Sequence, residues 1–103
     1  SVPDENIIVK KFVLYQNYPN PFNPSTTISF SIPSSTEYYS VLQNVTLKVY
    51  DILGNEVATL VDENKPAGVY NVQCIMNNTS SGVYFYTLKA GPFTETKKML
   101  LMK

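Results

Sequence analysis

Short apolar runs with a period of two recur along this chain, and each is closed within a few residues by Gly, Pro or Asn. Residues 26–32 set Ile28, Phe30 and Ile32 on one face and Thr27, Ser29 and Ser31 on the other, and Pro33 stops the run. Residues 45–50 repeat the pattern with Val45, Leu47 and Val49, and residues 69–75 repeat it with Tyr70, Val72 and Cys74. A period of two marks a half-buried β-strand. Residues 82–90 differ: Val83, Tyr84, Phe85, Tyr86 and Leu88 cover both faces, as in a central strand. Residues 51–55 read as a turn in which Gly54 or Asn55 supplies a positive φ. Residues 56–61 then return as the hairpin partner of 45–50. A loop at 62–68, a turn at 77–81 and Gly91-Pro92 separate the remaining strands, the last of which covers 93–102. The total is about seven strands with turn signals roughly every 8–12 residues, which predicts an all-β, immunoglobulin-like antiparallel sandwich. Composition agrees, since Val, Ile, Thr, Tyr and Phe make up 39 of 103 residues against three Ala. The predicted core includes Phe30, Leu47, Val49, Leu60, Val72, Tyr84 and Tyr86.

Two stretches break the rhythm. Residues 1–6 are polar and read as linker, and the apolar run Ile7-Ile8-Val9 is able to open a first strand that continues through Phe12 and Leu14. The expected organisation is therefore a linker over 1–11 and one domain over 12–103. Residues 16–25 hold Pro19, Pro21 and Pro24, which exclude both a helix and a central strand. Tyr18 and Phe22 would anchor this loop in the core. Residues 34–44 read as a long connection.

The inventory of reactive side chains is small. The chain has no His and a single Cys, so it can form neither a Ser-His nor a Cys-His nucleophile pair, nor an internal disulfide. His-based metal sites are excluded as well. Cys74 lies in phase with Tyr70 and Val72 and reads as a small core hydrophobe. Asp51, Glu56, Asp62 and Glu63 fall in hairpin turns, where local hydrogen bonding is the ordinary role of Asp, and they lack the run of oxygen ligands calcium needs. No metal or cofactor is expected. Eight Lys balance eight acidic residues and Arg is absent, which argues against a nucleic-acid partner. No stretch approaches the roughly 20 apolar residues of a membrane helix, so direct membrane insertion is not expected. Asn44, Asn77 and Asn78 begin glycosylation sequons. Tyr38, Tyr39, Tyr70, Tyr84 and Tyr86 offer either a sugar-binding face or ordinary packing. Lys97 and Lys98 on a terminal strand suit a charged edge that discourages aggregation.

One motif is more specific than all of these. The sequence Leu14-Tyr-Gln-Asn-Tyr-Pro-Asn-Pro-Phe-Asn-Pro-Ser-Thr-Thr-Ile28 resembles the opening of the type A C-terminal sorting domain of the type IX secretion system of Bacteroidetes and their relatives. Val45 to Gly54 resembles that family's central hairpin. Further matching segments follow in order at 56–61, 67–72, 81–86 and 96–99. The chain departs from the family at Cys74, where an aromatic residue is common, in the turn Ile75-Met76-Asn77, and in the length of 34–44.

The resemblance implies a secretion signal rather than an enzyme. Family members sit at the C-terminus of a larger cargo that crosses the periplasm, passes an outer-membrane translocon and reaches the cell surface or the medium. A sortase-like cysteine protease removes the domain. The missing signal peptide fits an excerpt from the end of a longer protein. By resemblance the translocon-recognition residues are Gly82, Tyr84, Lys97 and Lys98; Lys103 adds charge at the same edge, where a translocon would pair with backbone. Gly82 would allow close approach or an unusual φ. Pro19, Asn20, Pro21 and Phe22 form a structural motif that sets the opening loop. The alternative is an immunoglobulin-like accessory domain, either carbohydrate-binding or a structural module like those of flagellar hook caps.

Overall fold

A computed structural model describes residues 11–34 and 43–103. Seven strands form in the expected order: β1 (Val13–Leu14), β2 (Ser25–Ile32), β3 (Gln43–Tyr50), β4 (Glu56–Lys65), β5 (Gly68–Ile75), β6 (Gly82–Ala90) and β7 (Phe93–Leu101). They make two antiparallel sheets, β1-β2-β5 and β4-β3-β6-β7. The chain crosses between sheets after β2, after β4 and after β5, as in immunoglobulin-like sandwiches. No helix occurs among the described residues.

Alternation explains the core. Ile28, Phe30 and Ile32 of β2 face Val45, Leu47 and Val49 of β3 and Tyr84, Tyr86 and Leu88 of β6, all buried. β6 lies between β3 and β7, which is why its outer-face residues Val83, Phe85 and Thr87 are half-buried too. Leu60 and Val72, expected in the core, are only half-buried. Each belongs to an edge strand, where one flank has no neighbouring strand among the described residues to cover it.

Several boundaries differ from expectation. β4 continues to Lys65 through Asp62, Glu63 and Asn64, so the loop expected over 62–68 shrinks to a tight turn at Pro66-Ala67. An edge strand tolerates charge on both faces because one flank is solvated. Ser31, expected to face solvent, is buried and donates its hydroxyl to the Lys11 carbonyl at 3.0 Å. The first strand is only two residues long. Residues 1–10 of the linker expected over 1–11, residues 35–42 of the connection expected over 34–44, and with them Tyr38 and Tyr39, lie outside the described residues, and Gln43 and Asn44 belong to β3 instead of the connection.

The proline-rich loop is tied down by polar groups as much as by Phe22. Buried Asn17 donates its side-chain amide to Thr26 Oγ1 at 3.0 Å and to the Pro19 carbonyl at 3.1 Å. Thr26, also buried, donates to the same carbonyl at 2.8 Å. The Tyr86 hydroxyl accepts from the Asn17 backbone N–H and donates to the Tyr15 carbonyl, both at 2.8 Å, joining the loop to the centre of the opposite sheet. Tyr18, expected to be an anchor, is 81% exposed, and its backbone pairs with that of Thr27.

This loop seals part of a sheet edge. The outer edge of β7 is met by Gln16 Nε2 on the Lys98 carbonyl, Asn20 Oδ1 on the Leu100 N–H, Phe22 N–H on the Leu100 carbonyl and the Phe22 carbonyl on the Met102 N–H. Phe22 thereby forms a short parallel bridge to Leu101. The chain enters at Lys11, beside the end of β2, with the Lys65–Gly68 and Ala90–Phe93 turns at the same end of the sandwich. The 51–55 turn, the 77–81 turn, the proline-rich loop and the end of β7 lie at the other.

Candidate functional site

The five residues singled out for recognition do not form one patch. Lys97 and Lys98 are adjacent on β7, so their side chains leave opposite faces of the sheet. Lys97 shares its face with buried Met99 and Leu101 and pairs with Glu95 at 3.4 Å. Lys98 is exposed on the outer face, opposite Phe85, and no carboxylate among the described residues pairs with it. Lys103 lies beyond the strand end. Its backbone N–H donates to Ser81 Oγ at 2.8 Å and its ammonium donates to the Asn77 carbonyl, fastening it to the 77–81 turn.

Gly82 begins β6 opposite Leu101, with φ at +153°. That angle favours glycine. Nothing lies within 4 Å of where a Cβ would stand, so the backbone conformation, not a close neighbour, asks for glycine. Tyr84 points inward and is 6% exposed, and its hydroxyl donates to the Ser80 carbonyl at 2.7 Å. A tyrosine near the start of the sixth strand, bonded back to the backbone a few residues upstream, is a corner brace of immunoglobulin-like sandwiches. Tyr84 thus fixes the turn before Gly82 and presents little surface of its own.

Strand addition along 98–102 of β7 meets an edge already occupied by the proline-rich loop. What this region offers instead is side chains and two adjoining hollows that share Val83. One, of about 290 Å³, is lined by Asn20, Pro21, Val83, Lys98, Met99 and Leu100. The other, of about 160 Å³, is lined by Asp51, Ile52, Ser81, Gly82, Val83 and Tyr84. Sequence reading missed Val83 and Ile52; the signal was an apolar residue out of phase with the core.

The 51–55 turn is rigidly built. Asp51 Oδ1 accepts from the Leu53 and Asn55 backbone N–H groups, each at 2.9 Å, and Oδ2 from the Asn55 side chain at 3.4 Å. The Asn55 backbone bond, chiefly, holds this carboxyl below its ordinary value, against a smaller desolvation effect. Gly54 completes the turn at φ +88°. The Asp51 carboxylate is engaged in its own loop.

Aromatic hydroxyls are similarly committed. Tyr70 donates to the Pro66 carbonyl at 2.6 Å, and Tyr84 and Tyr86 are buried with backbone partners, so these three form no sugar-binding face. Cys74 is 1% exposed, and burial pushes its thiol up to about 11. Burial likewise pushes Tyr86 up to about 12, partly offset by the Asn17 backbone bond. Both folded-state values are raised, so the stabilisation they bring is complete below the unfolded values and is lost as pH climbs through the folded ones. Stability should therefore fall above about pH 9. Cys74→Ala should fall less steeply between pH 9 and about 11, as read from urea midpoints. Identical slopes for the variant and the parent would remove Cys74 as a contributor.

Compared with known proteins, the chain matches a family model described as a secretion system C-terminal sorting domain over residues 16–102. No curated protein matches it.

Proposed function

Because the chain belongs to the secretion system C-terminal sorting domain family, whose members are the sorting signals of type IX cargo, we propose that its cargo-distal end is the face read by the outer-membrane translocon. The observation that carries this reading is the separation of ends. The family attaches an upstream cargo, and the described chain enters at Lys11, whereas Gly82 and Lys103 lie at the opposite end of the sandwich, and Lys98 lies on the half of β7 nearer that end, lining a hollow with Asn20 and Pro21. A receptor approaching that end does not collide with cargo.

The roles divide accordingly. Lys98, exposed and without a carboxylate partner among the described residues, makes the charged contact. Lys103 adds a second charge on the 77–81 turn. Gly82 keeps the strand start open, and Tyr84 braces it. Lys97 is tied to Glu95 and supports the edge. Pro19, Asn20, Pro21 and Phe22 shape the loop that closes β7. In this reading residues 1–11 link the cargo to a sorting domain over 12–103. The cargo folds in the periplasm, and a sortase-like cysteine protease cuts upstream of the domain as the cargo reaches the surface or is released. No catalytic residue is assigned to the domain itself. A carbohydrate-binding appendage gains no support from Tyr70, Tyr84 and Tyr86, whose hydroxyls are committed to backbone carbonyls.

The test fuses residues 1–103 behind a folded periplasmic reporter in a host with type IX machinery. The parent fusion should reach the cell surface. Lys98→Ala should melt within a few degrees of the parent, since exposed charges contribute only about 0–1 kcal/mol to folding. Its delivery should drop at least tenfold, about 1.4 kcal/mol of lost recognition. Lys97→Ala should stay within about twofold of the parent, because its charge is already paired. Delivery of Lys98→Ala at the parental rate would remove Lys98 from the recognition face.

A further inference from the structure

We propose that the exposed pair Ile52 and Leu53, at the tip of the β3–β4 turn, is a docking knob that inserts into a preformed apolar pocket of the type IX export machinery. This rests on the sorting reading and adds to it an anchor of a different chemistry from the lysines.

Ile52 is 70% and Leu53 81% exposed, on a five-residue turn where polar residues would satisfy every backbone requirement. Exposed apolar residues are common singly, but two neighbours on a rigid tip are not needed by the fold. The turn is built without them. Asp51 accepts three hydrogen bonds, Gly54 supplies the positive φ, and the Asp51 N–H donates to the Asn55 carbonyl at 2.9 Å. The side chains at 52 and 53 are free to be chosen for another purpose, and the carboxylate cage removes the ordering cost a flexible tip would incur on binding.

Position identifies the occupant. The tip is at the end remote from Lys11, and Ile52 lines the same hollow as Gly82, Val83 and Tyr84, so the knob is continuous with the proposed recognition face. A partner seated over the tip can also fill that hollow, which stays open because Gly82 has no side chain and nothing stands within 4 Å of its missing Cβ. A second copy of this chain fits less well. Two side chains cannot supply the roughly 800 Å² per partner of a stable dimer. They match a hot spot instead, in which a few apolar anchors enter a shaped pocket and carry most of the affinity.

The experiment compares the parent fusion with Ile52→Ser/Leu53→Ser and with the apolar swap Ile52→Leu/Leu53→Ile. Neither pair touches Asp51 or Gly54, and both should melt within a few degrees of the parent; Leu53→Ser alone serves as the reduced perturbation if the double variant melts lower. Surface delivery of the double Ser variant should fall at least tenfold, while the apolar swap stays within about threefold of the parent. If the parent and Lys97→Ala are delivered and the double Ser variant is delivered equally well, the knob is overturned while the sorting reading stands. If the parent fusion is not delivered at all, both readings fall. A parent that sediments as a dimer, with Leu53→Ser a monomer, would assign the tip to self-association and overturn the proposal.

Discussion

Phe22→Ala should destabilise the domain by about 3–5 kcal/mol, the usual cost of emptying a buried aromatic site. Phe22 is 2% exposed and belongs to the core, although it sits in a loop that holds Pro19, Pro21 and Pro24. Its backbone also donates to the Leu100 carbonyl and accepts from the Met102 N–H, both at 3.0 Å. Losing the ring loosens the loop and with it the outer edge of β7. At about 4–8 °C per kcal/mol for a domain of this size, the melting temperature should fall by more than 10 °C. Tyr18→Ala, in the same loop but at an 81% exposed position, should change stability by no more than about 0.5 kcal/mol. Thermal melts of the two variants decide the matter: equal losses, or a Phe22→Ala loss below about 1 kcal/mol, would show that the loop is held by its hydrogen bonds and not by the ring.

Tyr86→Phe is the second large effect, and here no volume is lost. The ring is fully buried in β6 and its hydroxyl bridges the Asn17 N–H and the Tyr15 carbonyl. Phe leaves the buried Asn17 N–H and the part-buried Tyr15 carbonyl without this partner, a cost of about 1–3 kcal/mol. Urea midpoints measure the total, and hydrogen exchange localises it: the Asn17 amide should lose protection ahead of the β6 amides. Tyr84→Phe should cost less, about 1 kcal/mol, because its hydroxyl serves only a carbonyl next to solvent. If Tyr86→Phe were neutral, water would have to replace the hydroxyl in the bridge.

The strands were readable because alternation is a direct consequence of pleat geometry. Ile28, Phe30 and Ile32 and then Val45, Leu47 and Val49 name their own faces, and the two-sided apolarity of 82–90 places β6 in the middle of a sheet. Edge strands were harder. Asp62 and Glu63 looked like a loop because a half-solvated strand does not need to alternate. Asn17 and Thr26 gave no warning of burial, because their polar atoms are satisfied by partners that only the folded loop brings near. The recognition residues came from resemblance, and resemblance carries positions without orientations. Whether Lys97 and Lys98 act together depends on the pleat, which turns neighbours to opposite faces. Tyr84 could not be sorted between surface and brace until Ser80 was found beneath its hydroxyl.

The contact between the opening loop and the closing strand has a consequence for protein synthesis. Asn20 meets the Leu100 backbone 80 positions further along the chain, and Phe22 meets Leu100 and Met102 across a comparable gap. Contacts so far apart in sequence make folding slow relative to domains with local topology. They also make it late: while the chain emerges from the ribosome, the loop has no edge to seal and β6 has no outer neighbour until the last strand has been translated. A polypeptide cut off before Met99 lacks both Met99 and Leu101 from the core and the backbone that receives Asn20 and Phe22. The folded domain therefore certifies that everything upstream of it has been made in full, and an aborted cargo carries instead an open, protease-accessible tail with no shaped face to present.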